Sequence, residues 1–468
     1  MKILHVLANS SPDVNGYAVR THMLLNYQNQ INDIENLGLT SPWYPDRDSM
    51  VEEYQLDGVR YLRTLHPSRR KKNKKITHKL VSFFTRKPDS ARYKSNAGVQ
   101  NTKSFPFRVF DFCYYGIFKI GRAFRHFFRI GWKVVEEKIL IREFVRRIIA
   151  VAKQEKVDVI HAHTPYRVGL PALKAARKLG LPFVYEMRGM WEETAVANGR
   201  WMRNGPAYKR FQAYETRVLR QADAVICISQ TLKDEAVSRG VSASKITIVP
   251  NAIDTSIFES ESVSKELPNA IKKLRTESKP TVIGYIGSLR EMEGVDLTAD
   301  AVAILHEKGH NVRFFVLTGS NGQDELARHC ENLGIRDITL IMGPVPHSEV
   351  SGFYDLIDLF VVSRPDSRVT RLVTPLKPFE AMAMSKPVIA SRLPALEEII
   401  QHEKTGLLFD SGSKEDLMKA LEKCIEHTEF SKTLGLNAKE WVVEHRTWKR
   451  VVENTLSAYA IAKEEARV

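Results

Sequence analysis

The sequence predicts an α/β protein of two consecutive Rossmann-like domains, each built on a parallel sheet. Two observations carry this. Short apolar runs alternate with helical patterns from end to end, the signature of repeated βαβ units. The series also occurs twice, on either side of the polar, Lys/Glu/Ser-rich stretch Ser260–Pro280, which has no strong period and reads as a linker. A length of 468 residues gives room for two or three domains.

The elements follow in order. Ile3–Ala8 opens the first sheet, and the loop Ser10–Tyr17, with Gly16, leads into a helix carrying Ala18, Met23 and Leu24. A long helix precedes the strand Val157–His163, and the helical pattern Lys174–Leu179 precedes Phe183–Met187. Ala224–Ser229 and Ile246–Val249 complete the first series. The second comprises Thr281–Ile286, Val312–Thr318, Ile338–Met342, Leu359–Ser363 and Pro387–Ser391.

Composition excludes several classes. With 43% hydrophobic and 27% charged residues, the whole is neither disordered, collagenous nor a coiled coil. No apolar run reaches the roughly 18 residues that a membrane-spanning helix needs. The apolar start Met1–Leu7 is too short for a secretory signal and lacks a small-residue cleavage site. Cys113, Cys227, Cys330 and Cys424 are scattered without paired spacing, which speaks against a disulfide framework or zinc module and for a reducing cytoplasm.

Charge is concentrated. The chain carries a net +15, yet Arg60–Lys133 alone holds 20 Lys/Arg against Asp89 and Asp111. Over Phe107–Lys133, at 100° per residue, Arg108, Lys119, Arg122, Arg125, Arg129 and Lys133 share one side. Phe110, Tyr114, Ile117, Phe124, Phe127, Phe128 and Trp132 share the other; only Phe112 and Ile130 break the pattern. A basic amphipathic helix of this kind suits an anionic membrane surface; it also suits a domain helix packed on its sheet. The basic run Arg69–Lys79 favours the membrane, because a loop has no core to explain its charge. Nucleic acid is disfavoured, since the aromatics face away from the charge instead of interleaving with it.

His161 and His163 alternate on one strand and so share a face. A metal needs more ligands than these two, and the sequence shows none close by. His163, at the strand end, is read as a hydrogen-bonding group of the active site or as a satisfied core histidine, and His161 as core. Asp46-Arg47-Asp48 has the look of a metal-binding Asp-x-Asp but lies in a Pro-rich loop.

Several segments read together in order: Val159–His163, Val184–Gly189, Ala222–Ser229, Val249–Asp254, Ile283–Ser288, Gly343–Pro346, Lys377–Ala383 and Gly406–Phe409. This series resembles the retaining glycosyltransferases of family 4, with their GT-B fold of two Rossmann-like domains whose parallel sheets face each other across a cleft. The resemblance runs from Met1 to about Trp448. Glu186–Glu192 resembles a subgroup associated with bacterial exopolysaccharide assembly. The implied organisation is an N-terminal acceptor domain over 1–262 with a basic insertion at about 60–133. A nucleotide-sugar domain follows over 275–445, and a C-terminal helix over 446–468 crosses back to the first domain.

The resemblance also implies site residues. Gly287 and Ser288 would let backbone approach the donor diphosphate, Val345 and Pro346 would lie by the base, and Glu380 would take the ribose hydroxyls. Gly16 would border the diphosphate or the acceptor. Where the family often has Gly-Arg-x4-Lys-Gly, this chain has Ser288 and Glu293, so Arg290 and Lys377 are expected to replace the missing cations, with Arg364, Arg368 and Arg371 as further candidates. Leu372 stands where the first Glu of Glu-x7-Glu would fall, and Arg188 where the strand-end histidine would. Arg188 and Glu186 are expected to orient the sugar or diphosphate, or to form a structural ion pair, and His163 is expected to hydrogen-bond beside them in the active site.

The implied activity is cytoplasmic hexosyl transfer from a nucleotide sugar to a lipid-linked or polysaccharide acceptor, without a metal or other cofactor, on the inner face of the cytoplasmic membrane. Two alternatives stand beside it. One is a nucleotide-sugar epimerase; the other is a degenerate scaffold that binds membrane through Arg60–Lys133.

Overall fold

The computed structural model describes residues 1–11, 13, 15–44, 52–66, 135–254, 279–345 and 349–467. The first sheet contains β1 (Lys2–Leu7), β2 (Glu35–Thr40), β3 (Glu53–Leu56), β4 (Val59–Leu62), β5 (Val159–His163), β6 (Phe183–Met187), β7 (Ala224–Cys227) and β8 (Ile246–Ile248). Its order is β3-β4-β2-β1-β5-β6-β7-β8, parallel except for the β3/β4 hairpin. The second contains β9 (Thr281–Ile286), β10 (Val312–Leu317), β11 (Thr339–Met342), β12 (Leu359–Val362), β13 (Val388–Ser391) and β14 (Leu407–Phe409). It is parallel throughout, in the order β11-β10-β9-β12-β13-β14.

The central strands are buried on both faces by helices, which is why they read as continuous apolar runs and not as alternating ones. Strand order reverses between β1 and β5 in the first sheet and between β9 and β12 in the second. Loops leaving such neighbours diverge to opposite faces and open a crevice at the carboxyl ends of the strands, the usual ligand position in open α/β sheets. The first crevice lies below Gly16, where the Asn15 side chain accepts from the amides of Tyr17 and Ala18 at 3.1 and 3.0 Å and starts the helix Gly16–Gln28.

The chain leaves the first domain at Ile253 and returns at Thr447. The Ile253 amide donates to Arg446 O at 2.8 Å, and the Trp448 amide donates back to Ile253 O at 3.1 Å. The helix Asn454–Glu465 then packs on β6, β7 and β8, and Trp448, Ala458 and Tyr459 join the core of the first domain with Ile3, Val184 and Ile226.

Four strands lie outside the expected set. β2 carries Glu35, Asn36 and Gly38, which dilute its apolar signal. β3 and β4 are four residues each, joined through Asp57-Gly58 with φ of 48° and 76°. That Asp-Gly turn is a hairpin signal present in the sequence. β14 has three residues, too few to show a period.

The basic segment also needs correcting at its start. Arg60 belongs to β4 and pairs with Glu53 and Glu155, while Arg63 is buried between the rings of Tyr44 and Tyr54. Sheet geometry accounts for these two cations. The amphipathic stretch Phe107–Lys133, the run Arg69–Lys79, Asp46–Asp48 and most of the linker lie outside the described residues. Among the described residues no helix is long and apolar enough to cross a membrane. Cys227, Cys330 and Cys424 are free and buried.

Candidate functional site

At the carboxyl edge of the first sheet, one carboxylate gathers the polar residues. Glu186, on β6, is fully buried. Its Oε1 accepts from Arg20 Nε and Nη2 at 3.0 and 2.7 Å, and its Oε2 accepts from Arg188 Nη2 at 2.8 Å. His163 Nδ1 lies 2.7 Å from the same Oε2, and its Nε2 lies 3.0 Å from His5 Nδ1, whose other nitrogen meets Asn36 Oδ1 at 3.2 Å. Arg188 is fixed further by Thr21 Oγ1 at 2.6 Å and Tyr17 O at 3.1 Å, and Arg20 by the carbonyls of Val249 and Pro250.

Burial by itself would push the Glu186 carboxyl up; the Arg188 and Arg20 guanidiniums outweigh it and hold the carboxyl well below its usual range. Burial, with Arg188 adding to it, pulls His163 down to about 4, and burial likewise lowers His5 and His161. The imidazoles are therefore neutral around pH 7. The ring nitrogens of His5, His161 and His163 lie within 4.8 Å of one another, so a third histidine does stand beside the pair read from the sequence. Two features oppose a metal there. Arg20 and Arg188 share the neighbouring carboxylate, and the His161 and His163 rings are stacked at 4.4 Å instead of fanning around a centre.

At the facing edge of the second sheet, a second carboxylate does something different. Glu293 follows β9 and is 1% exposed; its Oε2 accepts from Arg364 Nε and Nη2 at 3.1 and 3.0 Å. Its Oε1 accepts from Arg290 at 2.9 Å and lies 3.7 Å from Lys377 Nζ. The Arg290 and Lys377 side chains keep 47% and 22% of their surface exposed. Lys377 Nζ donates to Tyr285 Oη at 2.7 Å and lies across the backbone of Gly287. A Cβ on Gly287 would stand 2.1 Å from Lys377 Cε, so the glycine clears the path of this lysine. One turn further along the helix Lys377–Ala383, Glu380 Oε2 accepts from Tyr354 Oη at 2.7 Å.

The domains are joined at this edge. The Glu398 carboxylate accepts from the amides of Gln230 and Thr231, both at 2.8 Å, and so caps a helix of the other domain. Arg368 reaches across to Glu235 at 2.7 Å and Glu193 at 3.2 Å, and Asn251 Nδ2 donates to Thr374 O at 3.0 Å. Between them a pocket is lined by Arg20, Met23, Ile253, Tyr354, Leu376, Glu380 and Trp448.

The comparisons match this architecture. Residues 78–257 match the family described as Glycosyltransferase Family 4, and residues 268–441 match Glycosyl transferases group 1. One match falls in each domain. This chain is a family 4 GT-B glycosyltransferase. It is 23% identical over 305 residues to the α-monoglucosyldiacylglycerol synthase of Streptococcus pneumoniae, covering 63% of this chain and 66% of the relative. Sucrose-phosphate synthase from Thermosynechococcus elongatus shares its fold with a TM-score of 0.67 at 16% identity, over 98% of both chains. Anabaena HepE, solved in complex with UDP-glucose, does so with a TM-score of 0.59 at 16% identity, over 100% of both.

Seen in this glycosyltransferase, the expected site residues divide. Gly287, Ser288, Arg290, Lys377 and Glu380 gather at the edge of the second domain, with Ser288 Oγ 3.2 Å from Arg290 Nε. Gly16 faces Leu376 of that domain, 3.6 Å from where a Cβ would stand. Val345 packs partly buried on the second core, and Pro346 lies outside the described residues. Glu186 and His163 call for correction. Each is buried and has its polar side-chain atoms engaged within the network, so neither has a free group to offer a sugar. Arg188 is nearly as enclosed, at 4% exposure, and is the ion-paired partner of Glu186. The three loop arginines part company: Arg364 joins Glu293, Arg368 bridges the domains, and Arg371 pairs with Asp366 at the surface.

Sequence reasoning missed Arg20, His5, Tyr285 and Tyr354. For Arg20 a signal existed, because it lies four residues before buried Leu24, on the inward face of its helix. Tyr285 and Tyr354 look like ordinary core aromatics until the fold brings their hydroxyls to Lys377 and Glu380.

Proposed function

We propose that the protein is a retaining, metal-independent hexosyltransferase that moves a sugar from a nucleotide sugar to a lipid-linked or polysaccharide acceptor in bacterial cell-surface glycan synthesis. The observation that carries the donor reading is the pair of exposed Arg290 and half-buried Lys377 at the Gly287 turn, with Glu380 one helical turn beyond. Two cations beside open backbone suit a leaving diphosphate, whose developing charge must be neutralised. Glu380, held by Tyr354, has an oxygen left for ribose hydroxyls. The UDP-glucose held by HepE and the lipid product named for the pneumococcal synthase support the donor and acceptor classes. The basic segment of the sequence supports work at the cytoplasmic face of an anionic membrane.

In this reading the donor phosphate oxygen takes the acceptor proton, and the chain supplies alignment and charge rather than a nucleophile. The test is a thermal-shift panel of nucleotide sugars with and without Mg²⁺, repeated on Glu380→Ala. Stabilisation by one donor, independent of metal and lost in the variant, is expected. Stabilisation that required Mg²⁺ would overturn the metal-independent reading, and no shift with any nucleotide sugar would overturn the donor site.

A further inference from the structure

A carboxylate is a poor neighbour for a diphosphate. Glu293 nevertheless stands in the turn that approaches the donor, at a position where the family pattern carries a lysine. Its two oxygens are used unequally. Oε2 is taken by Arg364, which contacts it through two nitrogens, at 3.1 and 3.0 Å. The Arg364 side chain is 5% exposed, so this arginine is shut away from a ligand in the cleft. Its remaining contact, Nη1 to Val373 O at 3.1 Å, holds the loop that leads to Lys377. Oε1 faces the two cations that do reach solvent, Arg290 at 2.9 Å and Lys377 at 3.7 Å.

We propose that Glu293 is a positioning residue for donor turnover: Arg364 cancels its charge from behind, and its other oxygen, Oε1, aims Arg290 and Lys377 at the diphosphate over Gly287. The arrangement inverts the family pattern. An anion occupies the lysine place, and the working cations come from two residues after Ser288 and from the helix beyond β12. Three cations around one carboxylate leave the cluster at a formal +2, the sign a diphosphate needs. Burial pushes the Glu293 carboxyl up, but Arg364, Lys377 and Arg290 hold it at about 2, so it stays ionised at any working pH. The inference rests on the donor reading above and goes further by assigning roles to two residues that touch no ligand.

The experiment uses the full chain. Binding of UDP, GDP, ADP and their parent nucleosides is measured by calorimetry, with inorganic pyrophosphate as a phosphate-only probe. Turnover is read as release of nucleoside diphosphate from the nucleotide sugar that the donor panel selects. In Glu293→Gln, turnover should fall about tenfold while the donor KM does not rise, because net positive charge increases while aim is lost. Arg364→Met should weaken the preferred nucleoside diphosphate and pyrophosphate about tenfold and leave the nucleoside unchanged, since the uncancelled carboxylate draws the cations inward. The double variant should recover the diphosphate affinity to within about threefold of wild type, a rescue that a scaffold role would not produce. Arg364→Lys, which keeps the charge, should hold most of the affinity and guards against a folding failure of the methionine variant. Unchanged turnover in Glu293→Gln, equal losses for nucleoside and diphosphate in Arg364→Met, or additive losses in the double variant would overturn the proposal. If the wild type binds none of the nucleoside diphosphates, the donor reading itself falls and takes this inference with it.

Discussion

Glu186 and Glu293 are the same chemical group in two settings. Each is a buried carboxylate at the carboxyl edge of a parallel sheet, and each is held low by more than one guanidinium. Around Glu186 the cations Arg20 and Arg188 are themselves buried, with side chains 3% exposed, and the histidines beyond them are neutral. Around Glu293 one arginine is buried and two cations are open to the cleft. Ion pairs sealed on all sides have their partners inside the fold, and removing one member leaves an uncompensated charge in low dielectric. Cations that a carboxylate holds only from behind still have room for an anionic ligand. The first cluster ties the segments of the first domain together; the second presents charge to the cleft.

The comparison breaks most visibly at its centre. Glu186→Ala should cost about 3–5 kcal/mol of stability, because Arg20 and Arg188 are left buried and unpaired. Differential scanning fluorimetry checks it, and a melting temperature equal to wild type would show that the cluster is not sealed. Acid should act on the same cluster. The folded-state pKa of His163, about 4, lies below its ordinary value, so the unfolded chain binds the proton first as pH falls. Stability from this group is complete above about pH 6.5 and is lost on the way down to about 4. His163→Asn should flatten that part of a melting-temperature profile, and an unaltered slope would refute the assignment.

The second cluster should answer in binding instead. Lys377→Met is expected to weaken the preferred nucleoside diphosphate at least about tenfold, about 1.4 kcal/mol of binding, and to cost less stability than Glu186→Ala. Calorimetry and fluorimetry on the same samples sharpen the contrast; a stability loss as large as that of Glu186→Ala would erase it. Gly287→Ala should act on the same side chain from below, since its Cβ would displace a flexible lysine end and not backbone. A smaller loss than for Lys377→Met is expected, and an affinity equal to wild type would place the lysine elsewhere. Smallest of all is Arg368→Ala. Its bridge to Glu193 and Glu235 is partly exposed, so a stability change of about 1 kcal/mol or less is expected. Small-angle scattering should report a wider spread of domain separations, and an unchanged profile would mean that the remaining contacts, Glu398 to Gln230 and Thr231 and Asn251 to Thr374 among them, hold the domains without it.

Much of the fold was legible in the chain. Strands buried on both faces leave unbroken apolar runs, so β5, β6, β9 and β12 could be read directly, along with the doubled series they belong to. The strands β3, β4 and β14 are only three or four residues long, too short to show a period, and only the Asp57-Gly58 turn announced the hairpin. The grouping at the edge of the second domain was also legible in part, because Gly287, Lys377 and Glu380 sit in local patterns with local reasons: a turn, a helix start, a carboxylate one turn on.

What the sequence determined by itself was the periodic and the local, since hydrophobic period and turn chemistry act between residues close along the chain. The tertiary structure alone decided which charges meet. Arg20 reaches Glu186 across 166 positions, and Arg364 reaches Glu293 across 71. An arginine alone does not reveal whether its carboxylate lies across a sheet, across a cleft or in water. Electrostatic partners are chosen by three-dimensional proximity and burial. That is why Glu186 and Arg188, two residues apart in a motif, proved to be packed inside the domain, while Glu293, in the place of a lost lysine, proved to hold the cations of the cleft.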